Sequence, residues 1–119
     1  MYLESYKELK VWQKAINLVE EVYILSTKFP KIETYGLTIQ MRRAVISIPS
    51  NIAEGQKRKN LAEYLQFLRI TNGSAAELET QVVIAERLYP KLDYSKVESL
   101  LGEVQKMLNV LIRRLEAKR

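Results

Sequence analysis

The run Gly36-Leu-Thr-Ile-Gln-Met-Arg-Arg-Ala-Val-Ile-Ser-Ile-Pro-Ser-Asn-Ile-Ala-Glu-Gly-Gln-Lys-Arg-Lys59 sets the architecture of this chain. Leu37, Met41, Ala44, Val45, Ile48 and Ile52 recur at helical spacing, so one face is apolar. Ile39 and Ile46 sit seven residues apart on another side and flank Arg42 and Arg43. A helix with one and a half apolar faces has more to bury than a single core accepts. Pro49 lacks an N–H and its ring crowds the Val45 carbonyl, which predicts a kink. The apolar register continues from Ile48 to Ile52, and this favours a kink over a break recapped by Asn51-x-x-Glu54. Gly55 reads as the C-terminal cap, with Lys57-Arg58-Lys59 directly after it.

Three further helices frame this one. The first is predicted from about Tyr6 to Lys28, opened by a Ser5-x-x-Glu8 capping box and closed by Phe29-Pro30. It carries two adjacent apolar stripes, one through Val11, Ala15, Leu18, Val22 and Leu25, the other through Trp12, Ile16, Val19 and Tyr23. Together they are wider than one core-facing stripe, so helix 1 also asks for a second burial surface. A short polar connection leads to Thr38 as the N-cap of helix 2. Helix 3 is predicted from the Asn60-x-x-Glu63 box to before Pro90. Its core face is Leu61, Tyr64, Leu65, Leu68, Ala75, Leu78, Val82 and Ala85. Gly73 in its middle costs about 1 kcal/mol relative to alanine, which predicts a close helix–helix approach there. Helix 4 opens at Ser95-x-x-Glu98 and runs to about Glu116, with Val97, Leu101, Val104, Leu108, Leu111 and Leu115 as its seam. Leu100, Met107 and Ile112 widen that seam. Four helices on short loops predict an all-α, antiparallel up-down-up-down bundle filling residues 1–119 as one domain.

Composition narrows the chemistry. The 119 residues include no cysteine and no histidine, which removes disulfides, Cys/His zinc sites, thiol nucleophiles and imidazole acid–base catalysis. No apolar run reaches the roughly 20 residues that span a bilayer. The Met1–Glu8 segment has no basic region followed by an apolar core, so the expectation is a cytoplasmic protein without a signal peptide. No serine or tyrosine has a base near it in a nucleophilic pattern, and no enzyme, metal or cofactor is expected. Glu54, Glu77 and Glu79 read as capping and pairing residues for Arg42, Arg43 or Arg58.

The net charge of +5 is unevenly distributed. In an up-down-up-down bundle, residues 1–14, 54–69 and 106–119 share one end, which holds twelve basic and five acidic residues. The rest of the chain has seven basic and nine acidic. Lys7, Lys10, Lys14, Lys57, Arg58, Lys59, Arg113 and Arg114 are the candidate contacts for a phosphate backbone. Two blander readings stand beside this. Arg113 and Arg114 also complement a helix C-terminus, and Lys57-Arg58-Lys59 also suits a solvated loop. Trp12, Ile39, Ile46, Arg42 and Arg43 are the candidates for contacts between copies, with Arg42 and Arg43 also expected to bridge to Glu77 or Glu79. Tyr64 and Phe67 lie near the basic corner but read as structural aromatics rather than base-stacking platforms.

Several words of sequence carry a resemblance. Leu9-Lys-Val-Trp-Gln-Lys-Ala15, Tyr35-Gly-Leu37, Gln40-Met-Arg-Arg-Ala44, Ser47-Ile-Pro-Ser-Asn-Ile-Ala-Glu-Gly55 and Gly73-Ser74 with Glu77-Leu78 follow one another over about residues 8–89. In this the chain resembles the bacterial four-helix-bundle family of ribosomal-RNA intervening-sequence proteins. That family includes the accessory variability proteins of diversity-generating retroelements. Gln56-Lys57-Arg58-Lys59 is more basic than the family pattern, and Thr71-Asn72 is bulkier. The resemblance implies a homopentameric ring of antiparallel bundles with a nucleic-acid-binding role and no catalytic residues. Two functions therefore stand as expectations. One is a non-catalytic RNA- or DNA-binding accessory protein; the other is a scaffold that docks a partner protein such as a reverse transcriptase.

Overall fold

The computed structural model describes residues 5–119; Glu4, counted above among the acids, and the Met1–Glu4 part of the N-terminal reading lie outside it. A rod of 46 × 22 × 20 Å is built from four helices: α1 (Lys10–Ser26), α2 (Leu37–Lys57), α3 (Leu61–Leu88) and α4 (Ser95–Glu116). Each helix packs against the two that adjoin it around the bundle, α1 on α2 and α4, α3 on α2 and α4. Cross-helix contacts set the directions. Leu9, Lys10 and Val11 at the start of α1 lie beside Lys106 to Arg114 late in α4, and Arg69 early in α3 meets Glu116 at the end of α4. Arg42 early in α2 reaches Ser26 at the end of α1. Neighbouring helices thus run in opposite senses, and the core fills the space between all four.

The core is largely the predicted one, joined by Phe29 and Tyr94 and by three polar residues, Ser26, Thr71 and Gln81. Leu18, Met41, Ile48, Ile52, Leu65, Leu68, Leu78 and Leu108 are fully buried. Thr71 is fully buried too, its hydroxyl donating to the Phe67 carbonyl at 2.9 Å. Gln81 is buried with its Oε1 unpartnered among the described residues. In the last turns of α4 it is Ile112 that is buried, while Leu111 and Leu115 pack against the core partly exposed.

Several expected helix ends are corrected. Ser5 caps a separate 3₁₀ turn, Tyr6–Glu8, by accepting from the Lys7 amide at 3.1 Å; α1 itself starts at Lys10 after an extended Leu9. Thr38 is not the N-cap of α2: Gly36 holds that position and the helix begins at Leu37, two residues before a Thr38 cap would start it. The orphan amide of Leu37 is met instead by the Glu33 carboxylate at 3.2 Å, and that carboxylate also accepts from the Tyr89 hydroxyl. Asp93 rather than Ser95 prepares the start of α4, accepting from both the amide and the hydroxyl of Ser95 at 2.9 and 2.7 Å. The Asn60 cap holds as read, its side chain accepting from the Glu63 amide at 3.1 Å.

Both glycine readings are corrected, and the close approach expected at Gly73 is found at Gly55. Gly55 does not end α2, which continues to Lys57. It is buried against α3, where a Cβ would sit 2.7 Å from Phe67 Cβ and 3.1 Å from Tyr64 Cδ1. Gly73 faces open space with nothing within 4 Å, so no close approach within the chain accounts for it. α2 is a single helix across Pro49, which excludes the recapped break. Around the proline, Ser47 and Ser50 hydroxyls and the Asn51 amide donate to the carbonyls of Ala44, Ile46 and Ser47 at 2.7–2.8 Å.

Candidate nucleic-acid interface

The absence of a side chain at Gly55 lets the last turn of α2 lie against Tyr64 and Phe67, and this fixes the α2–α3 corner. The chain leaves α2 at Lys57, turns through Arg58 in extended backbone, and enters α3 under the Asn60 cap. Arg58 is held in place: its guanidinium lies 5.0 Å from the centre of the Phe67 ring and 4.0 Å from the Glu54 carboxylate. Lys57 and Lys59 on either side are exposed. Burial raises the Tyr64 hydroxyl pKa above its ordinary value, consistent with Tyr64 packing against the core.

Two other segments arrive at the same end. Lys7 and Lys10 are exposed at the start of the chain's described part, and Arg113 and Arg114 are exposed in the last turns of α4. Arg113 donates weakly to the Asn109 carbonyl of its own helix at 3.4 Å. Lys14 is committed to Glu103 at 3.0 Å, and Arg69 to Glu116 at 2.7 Å. Such surface pairs are worth about 0–1 kcal/mol, but they reduce the charge offered to a ligand. Of the eight candidate cations, Lys14 and Arg58 therefore have carboxylate partners. Lys7, Lys10, Lys57, Lys59, Arg113 and Arg114 have none among the described residues. At the opposite end, Glu98 is held above its ordinary pKa by burial first and then by the charge of Glu86.

The residues expected to meet other copies lie along α1 and α2. Trp12 is half-buried and stands edge-on to Tyr6, ring centres 5.3 Å apart. Together with Ile16, Ile46, Pro49 and Ala53 these two line a groove that contains no charged side chain. Ile46 is 42% exposed, and Ile39 is half-buried. Arg42 does not bridge to Glu77 or Glu79. Its Nε donates to the Ser26 hydroxyl at 2.9 Å and its guanidinium covers the Tyr23 ring at 4.4 Å, so it joins α2 to α1. Arg43 is exposed and forms no ion pair among the described residues.

Sequence reasoning passed over a second groove, between the start of α1 and the end of α4. Leu9, Met107, Val110 and Leu111 line it, with Lys10, Lys106 and Arg114 beside them. The available signal was Val110, an apolar residue outside the α4 seam. Among the described residues no group of acids could hold a metal ion, and no helix is long and apolar enough to cross a membrane.

Residues 7–110 match the model of the 23S rRNA-intervening sequence protein family, which extends the similarity through most of α4. Among solved structures, the chain is similar to a protein of unknown function from the S23 ribosomal protein family of Bacteroides thetaiotaomicron VPI-5482. The two are 21% identical with a TM-score of 0.77 over 86% of this chain and 97% of that one, a likeness of fold. No curated protein matches the chain in sequence.

Proposed function

This chain belongs to the 23S rRNA-intervening sequence protein family, and we propose that it is a non-catalytic, cytoplasmic accessory protein that binds nucleic acid, RNA foremost. It acts as a homo-oligomeric ring of five copies with the basic ends of the bundles forming one rim. One observation carries this reading: six exposed cations, without carboxylate partners among the described residues, come to one end from three separate segments. Single Lys–phosphate contacts are weak and salt-sensitive, whereas several contacts on each of several subunits add up. The uncharged groove along Trp12 and Ile46 supports self-association, because an apolar surface of this kind gains from a second copy more than from water. The number five comes from the family resemblance.

Binding of a single-stranded RNA oligomer, followed by fluorescence anisotropy across a salt series, tests the reading. Replacing Lys57, Arg58 and Lys59 together by Gln is expected to flatten the slope of log affinity against log salt by about 2. No binding at low salt would overturn it. That outcome favours the second reading, a scaffold that docks a partner protein such as a reverse transcriptase, with the charges only orienting the approach.

A further inference from the structure

We propose that the groove between the start of α1 and the end of α4 is a docking site for an acidic amphipathic helix of a partner protein. Its floor is aliphatic: Leu9, Met107 and Leu111 rest half-buried on the core, and Val110 is 38% exposed. Its rim is cationic: Lys10, Lys106 and Arg114 are exposed, and none forms an ion pair among the described residues. The two properties together select the occupant. A phosphate backbone gains from the cations but nothing from an aliphatic floor, and the floor offers no aromatic face on which a base would stack. A helix with apolar residues at i, i+3, i+4 and i+7 and carboxylates on its flanks satisfies both at once. Met107 suits such a role because its unbranched, polarizable side chain adapts to differing partners.

The groove shares Lys10 and Arg114 with the proposed RNA rim, whereas Lys57 and Lys59 at the α2–α3 corner lie outside it and stay open to RNA when a helix fills it. Variants at that corner and in the groove therefore tell the two activities apart. The test uses the full chain and a fluorescein-labelled synthetic helical peptide of about 18 residues, leucines on one face and glutamates on both flanks. A scrambled peptide of the same composition is the control. The intact protein is expected to bind the amphipathic peptide at least about 10-fold more tightly than the scrambled one. Val110→Glu and Lys106→Glu should each weaken binding by roughly 10-fold. Both sites are at the surface, and Lys106→Glu in particular leaves the core untouched. Replacing Lys57, Arg58 and Lys59 by Gln should leave peptide binding unchanged. Equal binding of the scrambled peptide would reduce the groove to a patch of charge and overturn the proposal. So would an unchanged affinity in Val110→Glu. A loss of RNA affinity in Val110→Glu without any peptide binding would assign the groove to nucleic acid instead. A drop in oligomer mass in that variant would assign it to a second copy.

Discussion

α2 meets α3 and α1 meets its neighbours in different ways. The α2–α3 seam is the most extensive in the bundle, and at its basic end it is closed by Gly55, where even a methyl group would strike Phe67. α1 has 17 residues against 28 in α3, about 26 Å against 42 Å of helix, and touches both its neighbours through bulky side chains that leave grooves on either flank. A seam closed by backbone approach offers a partner nothing to fill. Seams held apart by Trp12, Ile16, Leu9 and Met107 offer a floor between two walls. Among the grooves beside α1, the one towards α2 carries no charge and the one between its start and the end of α4 has a cationic rim, so they suit different occupants.

The contrast can be broken most sharply at Ile46. An unpaired carboxylate in an apolar interface costs roughly 3–5 kcal/mol, a fall of about 150- to 5,000-fold in an association constant. We expect Ile46→Glu to reduce the mass seen by light scattering towards that of one copy while helical circular dichroism is retained. An unchanged mass would show that copies do not meet across the α1–α2 groove. The closed seam is tested next. Gly55→Ala should lower stability to urea by about 1–3 kcal/mol through overpacking against Phe67 and Tyr64. Gly73→Ala should raise it by about 0.4–1 kcal/mol, since the new methyl meets nothing within the chain. If Gly73→Ala instead weakened assembly, another copy would have to lie against that face of α3.

A smaller effect concerns the far end, where Glu33 joins the cap of α2 to Tyr89. Its carboxyl is held below the ordinary value of 4.5 by the Tyr89 hydroxyl first and the Leu37 amide second. Its contribution to stability is therefore full above that value and is lost as pH falls through the lower folded pKa. Tyr89 is shifted upward by the same bond, so its contribution fades as pH rises past its ordinary value of 10.0. Tyr89→Phe should narrow the difference in urea midpoint between about pH 3 and about pH 7. An unaltered profile would show that the hydroxyl does not govern Glu33.

Much of the bundle could be read from spacing, because apolar residues three and four apart leave a helix no other way to bury them. The Asn60 cap was legible for a related reason, since its partner is three residues away in the same chain. What could not be read depends on what faces a residue across the fold. Gly55 and Gly73 look alike in sequence, yet one abuts Phe67 and the other abuts nothing. Thr71 fills a slot in the stripe between Leu68 and Ala75, where a search for apolar residues passes over it. Of the cations, the cluster was visible in the sequence. The pairing of Arg58 with Glu54, four residues back in the chain, was legible too. The commitment of Lys14 to Glu103 and the seating of Arg58 over Phe67 were not, because each depends on a partner on another helix.

Pro49 has no amide proton to give, so the Val45 carbonyl goes without its usual donor halfway along α2. Pro49 also lines the α1–α2 groove, with Ile46 before it and Ala53 after it. One wall of that groove is thus a ladder with a missing rung. In deuterium uptake, the segments before and after Pro49 should each be slowed when a sister molecule settles against them.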